Sequence, residues 1–196
     1  MENYTELNVV ENNDKLLNLT LDLLNKSDLS WTLEKEPLVS PSGRTTNNFG
    51  FFRSDNGLCV GVHKNRYVPC DNYELAKLLI YSAQSVPDLG IDEANGGMFQ
   101  GGAKVYLQIP LPYVEIGNAK VTRSLTALNS HDGSTSVALG TTQTVISCQN
   151  TFYKAHRSKD MTRVNHNSNM QTRLAEIASA LQKTIESDYA VVTTFR

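Results

Sequence analysis

Two stretches of alternating residues, Phe49–Ser54 and Leu58–His63, flank Asp55-Asn56-Gly57 and commit this part of the chain to an antiparallel hairpin. Asn-Gly adopts the positive φ angles of a tight hairpin turn at little cost, and a helix cannot run through such a turn. Along the second stretch, Leu58, Val60 and Val62 are expected on the covered face, with Cys59, Gly61 and His63 on the other. A second hairpin is expected from Lys120–Asn129 and Ser134–Cys148, turning at Ser130-His131-Asp132-Gly133. Its Thr, Val and Ser content suits a half-exposed antiparallel sheet. Ala103–Pro110 reads as a further strand, with Val105, Leu107 and Ile109 inward and Lys104, Tyr106 and Gln108 outward.

Helical periodicity appears between these runs. Asp14–Lys26 carries a leucine stripe, and a helix starting at Asp71 or Asn72 buries Leu75, Leu78, Leu79 and Ala83 and stops before Pro87. Ser30–Val39 is extended and Gly90–Gly102 is a loop. Gln149–Arg157 is helical, and Ser158–Asn169 is a polar linker. A last helix, Met170–Ser187, sets Leu174, Ile177, Ala178, Leu181 and Ile185 on one face, and Tyr189–Phe195 reads as strand. Antiparallel runs with helices between them predict an α+β fold, an antiparallel sheet built from hairpins with helices packed on one face. The length of 196 residues suits one domain. We divide it into an N-terminal helical segment (1–29), the α+β domain (30–187) and a short tail (188–196).

Composition removes several function classes. Met1–Lys15 lacks the basic start and apolar run of a signal peptide. No apolar stretch approaches the ~18 residues of a membrane span. The expectation is a protein of a bacterial host's cytoplasm with no membrane partner. Cys59, Cys70 and Cys148 are widely spaced and form no CxxC pair, so neither a disulfide framework nor a zinc knuckle is implied. His63, His131, His156 and His166 show no metal-ligand spacing. The Gly96-Gly97 and Gly101-Gly102 pairs lack the lysine of a phosphate-binding loop. No cofactor is expected.

Net charge is only −2, yet it is unevenly spread: residues 1–100 hold eight basic and fourteen acidic groups, residues 101–173 eight and three. A basic middle suits one anion-facing surface. Lys104 and Tyr106 on the outward strand face, Arg123, and the run Lys154, Arg157, Lys159 and Arg163 are the candidates. Cations that track phosphates beside rings that stack on bases are how single strands are held without sequence readout. The competing constellation is Asn129-Ser130-His131-Asp132-Gly133, where His131 and Asp132 are candidates for a base and its orienting carboxylate. Turns select the same residue types for their backbone bonds, and triads are assembled from distant segments.

Several of these segments carry a resemblance. Trp31-Thr32-Leu33-Glu34, Arg53-Ser54-Asp55, the run Val60 to Pro69, Asp71-Asn72, Gly101 to Val105, Leu128 to Ser134, Val145 to Thr151 and His166 resemble the phage/plasmid-like family of unknown function, the domain-of-unknown-function family numbered 932. The resemblance spans about Trp31 to Leu181 and implies an origin in a mobile element, prophage, phage or plasmid, with no established reaction. In topology the chain is also similar to the core of single-strand annealing proteins, whose sheet and helix line a basic groove in an oligomeric ring. Seen through the family, the Cys148–Thr151 junction becomes a candidate phosphate contact through Thr151. The expected function is a mobile-element DNA-metabolism accessory, a homo-oligomer that binds single-stranded DNA and, in the stronger form, anneals it in recombination. The alternative is a protein-interaction module, such as a host-defence antagonist or assembly factor. A nuclease or hydrolase around His131 and Asp132 ranks third.

Overall fold

The computed structural model describes residues 3–84, 91–116 and 119–194, with side chains for 14–84, 92–113 and 121–187. The elements run α1 (Asn3–Lys26), β1 (Leu33–Val39), β2 (Thr45–Arg53), β3 (Cys59–Lys64), α2 (Asn72–Ala83), β4 (Asn95–Phe99), β5 (Lys104–Ile116), β6 (Ala119–Ser130), β7 (Val137–Thr142), α3 (Gln149–His156), β8 (Met161–Val164) and α4 (Met170–Thr194). Strands β1-β2-β3 make one antiparallel sheet, and β4-β5-β6-β7-β8 make a second in sequence order. Sequential antiparallel pairing on this scale is the α+β arrangement that the hairpin signals predict.

Period-two alternation splits the five-stranded sheet between two cores. Val105, Leu107 and Ile109 of β5, Leu125 and Ala127 of β6, and Val137 and Leu139 of β7 face the larger core, built with α1, α2 and α4. Leu128 and Ala138, one residue out of phase, face the smaller core, where Phe152 and Ala155 of α3 join Ile146 and Met161. The three long helices therefore cover one face, and the eight-residue α3 lies across the other.

That second layer corrects the reading of β5. Lys104 and Gln108 are not solvent-facing but 2% and 1% exposed, because α3 and the segment before it cover them. Gln108 behaves as a substitute backbone: its amide donates to Thr126 Oγ1 and Thr144 O at 3.0 Å, and its Oε1 accepts the Ile146 N–H at 2.9 Å. The residues after Thr142 thus dock onto a side chain instead of extending β7 to Cys148.

Four further differences have local causes. The 158–169 linker contains β8, whose Met161 and Val164 point one into each core. The expected 90–102 loop contains β4, whose glycine admits its neighbours: a Cβ on Gly96 would lie 2.4 Å from Ser27 Oγ and 2.5 Å from Leu107 Cδ2. In β3 a bulge between the pairs Phe51–Gly61 and Phe52–Cys59 breaks the alternation, so Val60 is buried while Leu58 and Val62 are exposed. Finally, α4 continues through Tyr189–Thr194, where a strand was expected.

Candidate nucleic-acid interface

The Asn129–Gly133 turn is the most densely connected point of the chain. His131 is fully buried. Asn72 spends its amide on Leu29 O and Trp31 O, which leaves Oδ1 facing His131 Nε2 at 3.1 Å. Asn129 Nδ2, anchored on Cys70 O at 2.8 Å, faces Nδ1 at 3.4 Å. These partners select the tautomer with the proton on Nε2. Burial, with the neighbouring His166 next, pushes the imidazole down to about 3.

The turn's remaining groups are also engaged. Ser130 Oγ donates to Thr135 O and accepts the Thr135 N–H, both at 2.8 Å. Asp132 pairs with Lys104 at 2.7 Å and accepts the Ser134 N–H at 2.9 Å. Burial pulls that carboxyl upward, but the bonds from Lys104 and Ser134 together hold it below its ordinary range. His63 Nε2 lies 2.7 Å from His131 O, and its ring stacks on Tyr67, which stacks in turn on His166. The structure therefore makes the two catalytic candidates parts of a tertiary tie joining β3, β5, β6 and the start of α2. Neither ring nitrogen of His131 faces solvent.

The basic candidates fall into two groups. Lys104 is withdrawn into its ion pair, with Gln100 Oε1 accepting a second bond at 2.6 Å. Thr151 completes the capping box of α3: its hydroxyl accepts the N–H groups of Ser147 and Cys148 and donates to Cys148 O. Arg123 shares the strand parity of Leu125 and Ala127, which puts it on the helical-layer face, opposite to Tyr106. Lys104 and Thr151 are thus spent on internal bonds, although Lys104 Nζ lies 6.0 Å from the Tyr153 ring centre and Thr151 is one turn before Lys154 on α3. Arg123 is on the opposite face of the sheet.

Lys154, Arg157, Lys159 and Arg163 form the second group. All four are exposed along α3, the turn that follows it and β8. Arg163 also stitches that turn, donating to His156 O at 2.7 Å and Ser158 O at 2.9 Å. Lys154 and Arg157 are three apart and Tyr153 and Arg157 four apart, so Arg157 neighbours each of the other two, with Tyr153 partly buried against the smaller core. A ladder of rings leads from there into the sheet: Tyr153 edge-on to Phe152, Phe152 to Phe99, and Phe99 stacked on Tyr106 at 5.5 Å. Phe99, Tyr106 and Tyr153 are each half-exposed. Burial raises the Tyr106 hydroxyl above its usual pKa.

Of this cluster, Tyr106 and the four cations were candidates from the sequence, whereas Phe99 and Tyr153 were not. The spacing of Tyr153 to Arg157 was a usable signal for one; for Phe99 the local sequence, read as loop, offered none. Among the described residues no group of three or more His, Cys, Asp or Glu side chains is placed to hold a metal ion. No helix among them is long and apolar enough to cross a membrane.

No curated protein and no solved structure matches the chain. A family model does, across residues 60–194, from the bulged strand β3 to the end of α4. With well over half of its length matched, the chain belongs to the family described as Domain of unknown function (DUF932).

Proposed function

We propose that the protein binds single-stranded DNA along the outer side of α3 and the turn into β8. Lys154, Arg157, Lys159 and Arg163 take the phosphates, and the half-exposed rings of Tyr153, Phe99 and Tyr106 stack with bases. The observation that carries this reading is the placement of Arg157 beside both Lys154 and Tyr153, with Tyr153 at the end of a ring ladder. Aromatic faces accept any base, and cations follow the backbone without reading sequence. In this reading the protein is a DNA-metabolism accessory of a phage or plasmid, acting as an oligomer in the manner of annealing proteins.

The test is fluorescence anisotropy with a labelled single-stranded oligonucleotide at low salt. Wild-type protein should bind it more tightly than duplex of equal length, and Lys154→Glu with Arg157→Glu should weaken binding by at least about tenfold, since phosphate contacts dominate affinity. Unchanged affinity in that variant would remove the site, and no binding by the wild type would turn attention to a protein partner.

A further inference from the structure

On the other side of the five-stranded sheet from α3, the helical layer holds a cavity of about 300 Å³ between α1, α2 and the start of α4. Leu16, Leu78, Met170 and Leu174 give it an apolar wall, and the exposed Tyr81 also lines it. The volume lies at the lower end of ligand-binding clefts. Two acidic side chains, Asp71 and Glu74, line the same cavity.

Asp71 occupies the N-cap position of α2, with the extended backbone of a cap (φ −69°, ψ 153°), yet its side chain makes no capping bond. An Asp at this position ordinarily accepts an N–H from the first turn. Here it lines the cavity instead, half-buried, three residues before Glu74 on the same helix. Neither carboxylate has an ion-pair partner: the ion pairs among the described residues are Arg53–Asp55 and Lys104–Asp132. Lys77 also lines the cavity but comes within ion-pair distance of neither. Burial, and then the Glu74 charge, raises the Asp71 carboxyl above its ordinary range. Both lie at the N-terminal end of α2, where the helix dipole favours negative charge without pairing it, and a cation placed between them would supply that pairing.

We propose that this cavity binds a small organic cation with an apolar body, of the alkylamine or arylalkylamine class. The ammonium sits between the Asp71 and Glu74 carboxylates and the hydrocarbon lies against Leu16, Leu78 and Leu174. The apolar wall favours the body and the unpaired carboxylates select its charge. Neither property depends on the nucleic-acid surface.

Isothermal titration of the full chain with phenethylamine, 2-phenylethanol and 3-phenylpropanoate separates these contributions. Phenethylamine should bind saturably at one site, with the alcohol and the acid weaker by at least about tenfold. Asp71→Asn with Glu74→Gln retains a residue suited to the N-cap and should remove that preference. Ala175→Phe, at an exposed position of α4 on the cavity lining, should block all three probes without touching the core. Equal binding of amine and alcohol overturns the proposal, as does the absence of saturable amine binding. Amine binding that survives both variants also overturns it, because the site would then lie elsewhere.

Discussion

His131 shows how a residue chosen for its chemistry can be held for its lack of it. A proton added to Nδ1 would point at the Asn129 amide, itself a donor, so two N–H groups would face each other in a site without water access. The folded pKa of about 3 therefore lies far below the ordinary histidine value near 6.5. The unfolded chain binds a proton as pH falls through ~6.5, while the folded chain does not until pH reaches ~3. Stability from this group is complete above the unfolded pKa and drains away between those limits. His156 and His166 are lowered too, mainly by burial, and act in the same direction. Urea unfolding should thus show a loss of about 2 kcal/mol from His131 alone between pH 6.5 and pH 5. His131→Gln should be less stable at pH 7.5 but show a flatter slope over that window; an unchanged slope would mean that the imidazole is not held neutral. The local sequence announced a turn here, and the turn is real. Its partners were illegible, since Asn72 and His63 lie 59 and 68 residues away and nothing in a pentapeptide records which distant groups it ties.

The behaviour of β3 belongs to the element. A Cβ on Gly61 would lie 2.2 Å from His131 O, the same oxygen that His63 Nε2 approaches. The small sheet docks onto the Asn129–Gly133 turn at this point, and backbone meets backbone where only a hydrogen atom fits. Gly61→Ala should force the strand off the turn and break the His63 contact, costing about 2–4 kcal/mol by the usual range for buried steric clashes. Val62→Ala, next along the strand but 53% exposed, should cost well under 1 kcal/mol. Thermal unfolding of the two variants checks this, and similar losses from both would show that the close approach is not maintained in solution. A strand glycine does signal close approach or a bulge, so this feature was partly readable. The hairpin was read correctly from Asp55-Asn56-Gly57, but its buried face was not, because the bulge at Val60 shifts the parity that alternation presumes. The same limit applies to β5. Strict alternation placed Lys104 and Gln108 on one face, correctly, and only α3, a short helix far along the chain, decides that this face is covered.

At the scale of the molecule, a net charge of −2 gives no general attraction to nucleic acid, so any binding must come from local placement. The sequence-level excess of basic residues in 101–173 resolves in three dimensions into unlike parts. Lys104 is neutralised in the interior, Arg123 faces the helical layer, and the four cations of α3 and the β8 turn remain together at the surface. Charge along the chain thus grouped residues that the fold separates, and only the four cations around α3 and β8 stay together at the surface. A quantitative consequence follows from counterion release. If these four residues each neutralise one phosphate, the logarithm of the binding constant for single-stranded DNA should fall with the logarithm of salt at a slope of about −3. Lys154→Gln with Arg157→Gln removes two of those contacts without adding charge, and should bring the slope to about −1.4. Tyr153→Leu should instead weaken binding by about 1–3 kcal/mol and leave the slope where it was, because stacking releases no counterions. The pair separates the two halves of the interface: a Tyr153 variant that changes the slope, or a Gln pair that does not, would show that the rings and cations of α3 do not act as a stacking platform beside a phosphate track.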